Sequence, residues 1–133
     1  MFVGNQVPWP VREGGSEVFH RQCPAVQVLD HITSRWGIWV LLALRGEDLR
    51  FFELRERIDG VSEKMLSQTL KHLVADGLVW RRVEPTVPPQ VTYGLTDLGT
   101  GTADRLGGIF DWIKDNAETV LDARAKAGTV ESR

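Results

Sequence analysis

The sequence predicts a mainly α fold with one small β-hairpin (α+β), and three observations lead there. Ser62 to Gly77 reads as one capped helix. Ser62 supplies an N-cap oxygen for an orphan amide of the first turn. Gly77 is a left-handed stop, and Leu66, Leu70 and Leu73 recur at i, i+4, i+7 as one apolar stripe that must bury. Leu78 to Val83, a proline-bearing turn and Val91 to Leu95 then read as two strands of a hairpin. Ahead of the capped helix, a short helix covers about Phe51 to Ile58, with Phe51, Leu54 and Ile58 on one side and Asp59-Gly60 as its turn signal. Helix, turn, helix, strand, turn, strand is the order of a winged helix-turn-helix.

A chain of 133 residues fits one domain with a single core. Its 42% hydrophobic and 26% charged composition excludes wholesale disorder. No run of apolar residues is long enough to span a bilayer, and the start lacks a basic region followed by an apolar one. The expectation is a cytoplasmic protein without membrane span or signal peptide. The single cysteine, Cys23, cannot form an internal disulfide and fits a reducing compartment.

Within that frame the elements follow in order. Residues 1–22 are expected to form an irregular N-terminal arm, broken by Pro8, Pro10 and Gly14-Gly15. Phe2, Val3, Trp9, Val18 and Phe19 make the arm apolar enough to pack on the domain or a partner subunit. Residues 23–127 form the domain proper. Cys23-Pro24 opens the first helix, since proline suits a first-turn position whose amide would be unpaired anyway; Val28, Leu29 and Ile32 give its apolar face. A second helix is expected from near Ser34 to Gly46, with Trp36, Trp39, Val40, Leu42 and Leu44 implying protein on several sides. Thr96-Asp97 starts a last helix, which Gly99, Gly101, Gly107 and Gly108 weaken by about 0.8–1 kcal/mol each relative to alanine. Residues 128–133 are expected to fray.

Opposite the apolar stripe of the capped helix, Lys64, Ser67, Gln68 and Lys71 recur at i, i+3, i+4, i+7. Taken alone, such a face is most often merely solvated. Ahead of a hairpin wing it has the cationic and amide chemistry that reads base edges and phosphates in double-stranded DNA. Gln68 suits base reading because its amide pairs bidentately with adenine, and Lys64 and Lys71 suit phosphates. Arg81 and Arg82 alternate faces of a strand, and Arg82, nearer the turn, is the expected DNA contact, against the alternative of a surface ion pair. His72 sits one step off the reader face, with a flanking or a structural role open to it. Pro85, Pro88 and Pro89 stiffen the wing.

The net charge of −2 is low for a nucleic-acid binder, but its distribution is uneven. Arg45 to Arg82 holds eight basic residues against seven acids, whereas Asp97 to Asp122 holds two against six. A basic reading side with an acidic far side is compatible with DNA binding by two copies acting together. Trp36, Trp39, Trp80 and Trp112 fit core or dimer packing better than a ligand pocket. No catalytic set, metal-ligand cluster or phosphate-cradling loop is present, so neither enzyme activity nor a cofactor is expected.

Across residues 23–113 the chain resembles the HxlR-type transcriptional regulators, a branch of the MarR-like winged-helix group. The resemblance lies in Cys23-Pro24, Arg35-Trp36, Arg50-Phe51-Phe52-Glu53-Leu54, Gly60 through Leu66, Leu70, Leu73, Asp76-Gly77-Leu78-Val79, Val87-Pro88-Pro89 and Tyr93 through Gly99. It implies a homodimer joined through the terminal helices, with its reader helices presented to a palindromic operator. By position it assigns Ser62, Lys64, Gln68 and Lys71 to the reader and Arg50 to the start of the supporting helix. Gln90 departs from the basic residue usual before the second wing strand, and the long arm has no family role. Cys23, at a helix N-terminus where free amides and the dipole favour a thiolate, matches a position that some relatives use to sense oxidants. Its alternative is a small buried cap residue. The leading expectation is a homodimeric repressor, responsive to a small-molecule or oxidant signal; the alternative is a winged-helix protein-interaction module without DNA binding.

Overall fold

The computed structural model describes residues 11–13, 16–18 and 20–131. Two short strands, β1 (Val11–Glu13) and β2 (Ser16–Val18), pair antiparallel with Val11 opposite Val18, so this part of the arm is a hairpin rather than irregular chain. Phe2, Val3, Trp9 and Phe19, on which packing of the arm was expected, lie outside the described residues.

Helix α1 (Pro24–Ile32) starts at its proline as anticipated. Helix α2 (Gly37–Ala43) is shorter than the expected Ser34-to-Gly46 span. The reason is local: the Ser34 hydroxyl donates to the His31 carbonyl at 2.8 Å and accepts the Gly37 amide at 3.1 Å, bridging the two helices instead of opening the second. Strand β3 (Leu49–Arg50), absent from the sequence reading, precedes α3 (Phe51–Arg57) and α4 (Glu63–Ala75). Strands β4 (Val79–Glu84) and β5 (Gln90–Leu95) form the wing, and the sheet order is β3-β5-β4. The antiparallel register sets Arg81 against Tyr93 and Arg82 against Thr92, while β3 sets Leu49 against Tyr93 and Arg50 against Thr92.

The expected last helix is two helices, α5 (Asp97–Asp115) and α6 (Ala117–Glu131). Asn116 ends the first: its side-chain amide donates to the Trp112 carbonyl at 2.8 Å, competing with continued helix as short polar side chains do. Helix α6 runs to Glu131, past the point at residue 128 where fraying was expected. Two of the glycines of α5 carry a reason that propensity misses. A Cβ at Gly99 would strike the Leu78 carbonyl oxygen, and one at Gly107 the Arg45 guanidinium. At these two points the helix lies against the Leu78 backbone ahead of β4 and the Arg45 side chain after α2 at a closeness that a side chain would forbid.

Leu66, Leu70 and Leu73 of α4 are buried with Val40 and Leu41 of α2, Leu44 at its end, Leu54 of α3, Ile58 at its end, Leu78, Val79 and Tyr93 of the wing base, and Ala103 and Leu106 of α5. Thr96 ties three elements at one point. Its hydroxyl donates to the Gly77 carbonyl at 2.6 Å and accepts the Gly99 amide at 3.0 Å, while its own amide donates to the Leu78 carbonyl at 3.1 Å. A second surface is left uncovered. Leu29 of α1, Ile109, Trp112 and Ile113 of α5, and Val120 and Leu121 of α6 are exposed, Trp112 at 68%.

Candidate nucleic-acid interface

The reader helix forms as its sequence demands. Ser62 Oγ accepts the Met65 amide at 3.1 Å, and Gly77, at φ +76°, takes the left-handed turn that ends the segment. Burying Leu66, Leu70 and Leu73 forces the opposite side outward, and Ser62, Lys64, Ser67, Gln68 and Lys71 are all exposed. Around the helix, at 3.6 residues per turn, positions run Leu70, Val74, Ser67, Lys71, Lys64, Gln68 from the wing side outward. Gln68 stands farthest from the wing. Neither Lys64 nor Lys71 has a carboxylate partner among the described residues.

The structure divides the remaining candidates between two faces of the sheet. Directly opposed residues of antiparallel strands share a face, so Arg50 and Arg82 flank Thr92 on the outer face, with Gln90 at its wing end. There Arg82 stacks over the Trp80 ring at 5.1 Å and lies 3.8 Å from Glu84. Arg50 caps α3, its amide donating to Glu53 Oε1 at 2.8 Å. The other face carries Arg81 beside Tyr93, and it is Arg81, not Arg82, that lines a cleft with Ser67, Leu70, Lys71 and Val74 of the reader helix. Sequence reasoning chose the arginine nearer the turn. The usable signal was Val79 and Val83, two residues either side of Arg81, which put Arg81 on the helix-facing side.

His72 has a structural role that the sequence left open. Its ring stacks on that of His31 with centroids 4.6 Å apart, and His31 Nδ1 bonds Asp76 Oδ2 at 2.5 Å, fastening α4 to α1. The tryptophans take separate paths: Trp36 and Trp39 line a cleft between α2 and α5 with Arg35, Arg45, Arg57 and Phe110, Trp80 covers Gly94, and Trp112 faces outward. Arg57 reaches across to Glu47, donating at 2.7 Å, and that bond and charge hold the Glu47 carboxyl below the usual carboxylate range.

Cys23 stands at the N-cap of α1, but its side chain is fully enclosed and makes no cap hydrogen bond. Of the two readings that the sequence left open, the geometry found is the small enclosed cap residue, not the open, amide-facing thiol. Among the described residues, no group of three or more histidine, cysteine, aspartate or glutamate side chains could hold a metal ion, and no helix is long and apolar enough to cross a membrane.

A capped reader helix, its supporting helix and a two-stranded wing define a winged helix-turn-helix regulator of transcription, not an enzyme. The chain belongs to the HxlR-like helix-turn-helix family, whose model matches residues 31–120. It is 46% identical over 114 residues to YtfH of Escherichia coli K12, described as an uncharacterized HTH-type transcriptional regulator, covering 86% of this chain and 89% of the relative. The solved structure of the regulator ytfH from Salmonella typhimurium superposes with a TM-score of 0.76 at 47% identity, over 81% of this chain and 96% of that one. A redox regulator, HypR, in its reduced form matches with a TM-score of 0.69 at 29% identity, over 74% of this chain and 98% of that one.

Proposed function

We propose that this protein is a cytoplasmic homodimer that recognises a palindromic operator and represses by occupying it. The observation that carries the reading is the division of α4: one side sealed into the core by leucines, the other presenting Lys64, Ser67, Gln68 and Lys71 without anionic partners among the described residues. Gln68, farthest from the wing, reads a base edge; Lys64 and Lys71 engage phosphates. The uncovered apolar side of α1, α5 and α6 supports pairing of two copies, which would set the readers about 34 Å apart, in successive major grooves. Occupying the operator then blocks polymerase by simple exclusion.

Selection from a random duplex library tests this. The expected result is an inverted repeat with half-sites one helical turn apart. Gln68→Ala relaxes preference at one base position, whereas Lys71→Ala weakens binding to every sequence and flattens the salt dependence. No enriched sequence at any salt would refute operator recognition. On the signal side, the likeness to the redox regulator HypR supports an oxidant response. In this chain that response requires the enclosed Cys23 thiol to become accessible, so operator release by an oxidant must vanish in Cys23→Ser.

A further inference from the structure

We infer that the cleft between the reader helix and the wing is a seat for a single DNA phosphate, held jointly by Lys71 and Arg81 with Ser67 as hydroxyl donor. The inference rests on the DNA-binding reading above and adds to it a site, a ligand group and a residue, Arg81, which the sequence had passed over. Three observations converge. Ser67, Lys71 and Arg81 line one cleft whose remaining walls are Leu70, Val74 and Tyr93. Lys71 and Arg81 are both exposed, and neither has a carboxylate partner among the described residues, although Arg45, Arg55, Arg57 and Arg82 each have one. Two unpaired cations that line one cleft repel each other, and an anion seated there relieves that repulsion.

Geometry supplies the anion. With α4 in a major groove and the wing tip over the neighbouring minor groove, the strand of sugar-phosphate that divides the two grooves passes between helix and sheet. That is where this cleft opens. The Arg81 guanidinium, a planar fork suited to two phosphate oxygens, approaches from the sheet; the Lys71 ammonium approaches from the helix. Arg82, on the opposite face with Trp80 and Glu84, has no access to the same phosphate.

The test uses the full chain and a labelled mixed-sequence duplex, because a phosphate contact is blind to sequence. Affinity is followed by fluorescence anisotropy between about 50 and 200 mM salt, where the slope of log affinity against log salt falls by about 0.9 for each phosphate no longer neutralised. Arg81→Ala is expected to weaken binding to all sequences alike, by at least about twofold per protomer, and Arg81→Lys to retain most of it. The variant carrying both Lys71→Ala and Arg81→Ala should lose about 0.9 of slope per protomer, or about eightfold in affinity at 0.1 M salt, since both cations serve one phosphate. A loss of about 1.8 would mean two separate contacts and would overturn the shared seat. Unchanged affinity in Arg81→Ala, or a loss carried by Arg82→Ala instead, would overturn the assignment while leaving DNA binding intact. A wild type that binds no duplex would overturn the seat and the regulator reading together. Thermal melting of each variant separates lost contact from lost fold.

Discussion

Replacing Trp112 by alanine should take the proposed dimer apart without unfolding the protomer. A tryptophan buries about 150–250 Å² when enclosed, and at 68% exposure Trp112 offers about 100–170 Å² of that to a second copy. At about 25 cal/mol per Å² this is about 2.5–4 kcal/mol, reduced to about 2–3 once the alanine that remains is allowed for. Each 1.4 kcal/mol is a factor of ten, so the dimer dissociation constant should rise at least about 30-fold. In a two-fold interface the loss occurs twice, which makes that figure a lower bound. Sedimentation velocity over a dilution series reads the equilibrium, and far-UV circular dichroism verifies the fold. The reasoning fails if the wild type sediments as a monomer throughout, or if the variant associates as tightly as the wild type. Either outcome would mean that the apolar side of α5 and α6 meets something other than a second copy.

Other expectations concern the protomer itself. Leu70→Ala, in the sealed stripe of the reader helix, should cost about 2–5 kcal/mol in urea denaturation, and a loss below about 1 kcal/mol would show that the stripe is not packed as described. Thr96→Val keeps the shape but removes the cap and the hydroxyl bond to Gly77, for a loss of about 1–2 kcal/mol by the same assay. Because Arg57 depresses the Glu47 pKa, the pair's contribution is present above the ordinary carboxylate range and is lost as pH falls through the folded-state midpoint. Arg57→Ala should raise the Glu47 midpoint seen by NMR, and an unmoved midpoint would contradict the pairing. Finally, a thiol-specific reagent should label Cys23 rapidly only after denaturant is added; fast labelling of the native protein would place the thiol at the surface.

What the sequence revealed, and what it hid, follows the range of the interactions involved. The reader helix was legible because cap, stripe and stop all lie within sixteen residues of chain and obey one period. The wing strands were legible for the same reason, bounded by a proline-rich turn. Strand β3 was not, since two residues have no period and Leu49–Arg50 becomes a strand only by pairing with β5. The single long terminal helix was an error of the same kind: apolar residues continue through Asn116, and the break is made by that side chain bonding back to Trp112. At the candidate site the exposure of Lys64, Ser67, Gln68 and Lys71 on one face of α4 was legible, because it follows from burial of the leucine stripe opposite. Which face of the sheet Arg81 and Arg82 take was legible in the alternation of Val79 and Val83, but closeness to the turn, the ground for expecting Arg82 at DNA, carries no information about the face. The pairing of His72 with His31 had no local signature at all, as its partner lies on α1.

The knot at Thr96 has a mechanical consequence. The last turn of the reader, the first residue of the wing and the first turn of α5 are bonded to one side chain, so none can translate without carrying the others. Ala103 and Leu106 of α5 are also buried in the core, so the head turns with that helix as one body. Helix α5, 19 residues long at about 1.5 Å per residue, then acts as a lever of about 28 Å whose far end is where a second copy would be gripped. A tilt of a few degrees about Thr96 displaces the far end of that lever by an ångström or two and has to carry the core packed against Ala103 and Leu106 with it. In the proposed dimer, a change at that grip would therefore alter the separation of the two heads without either head changing shape.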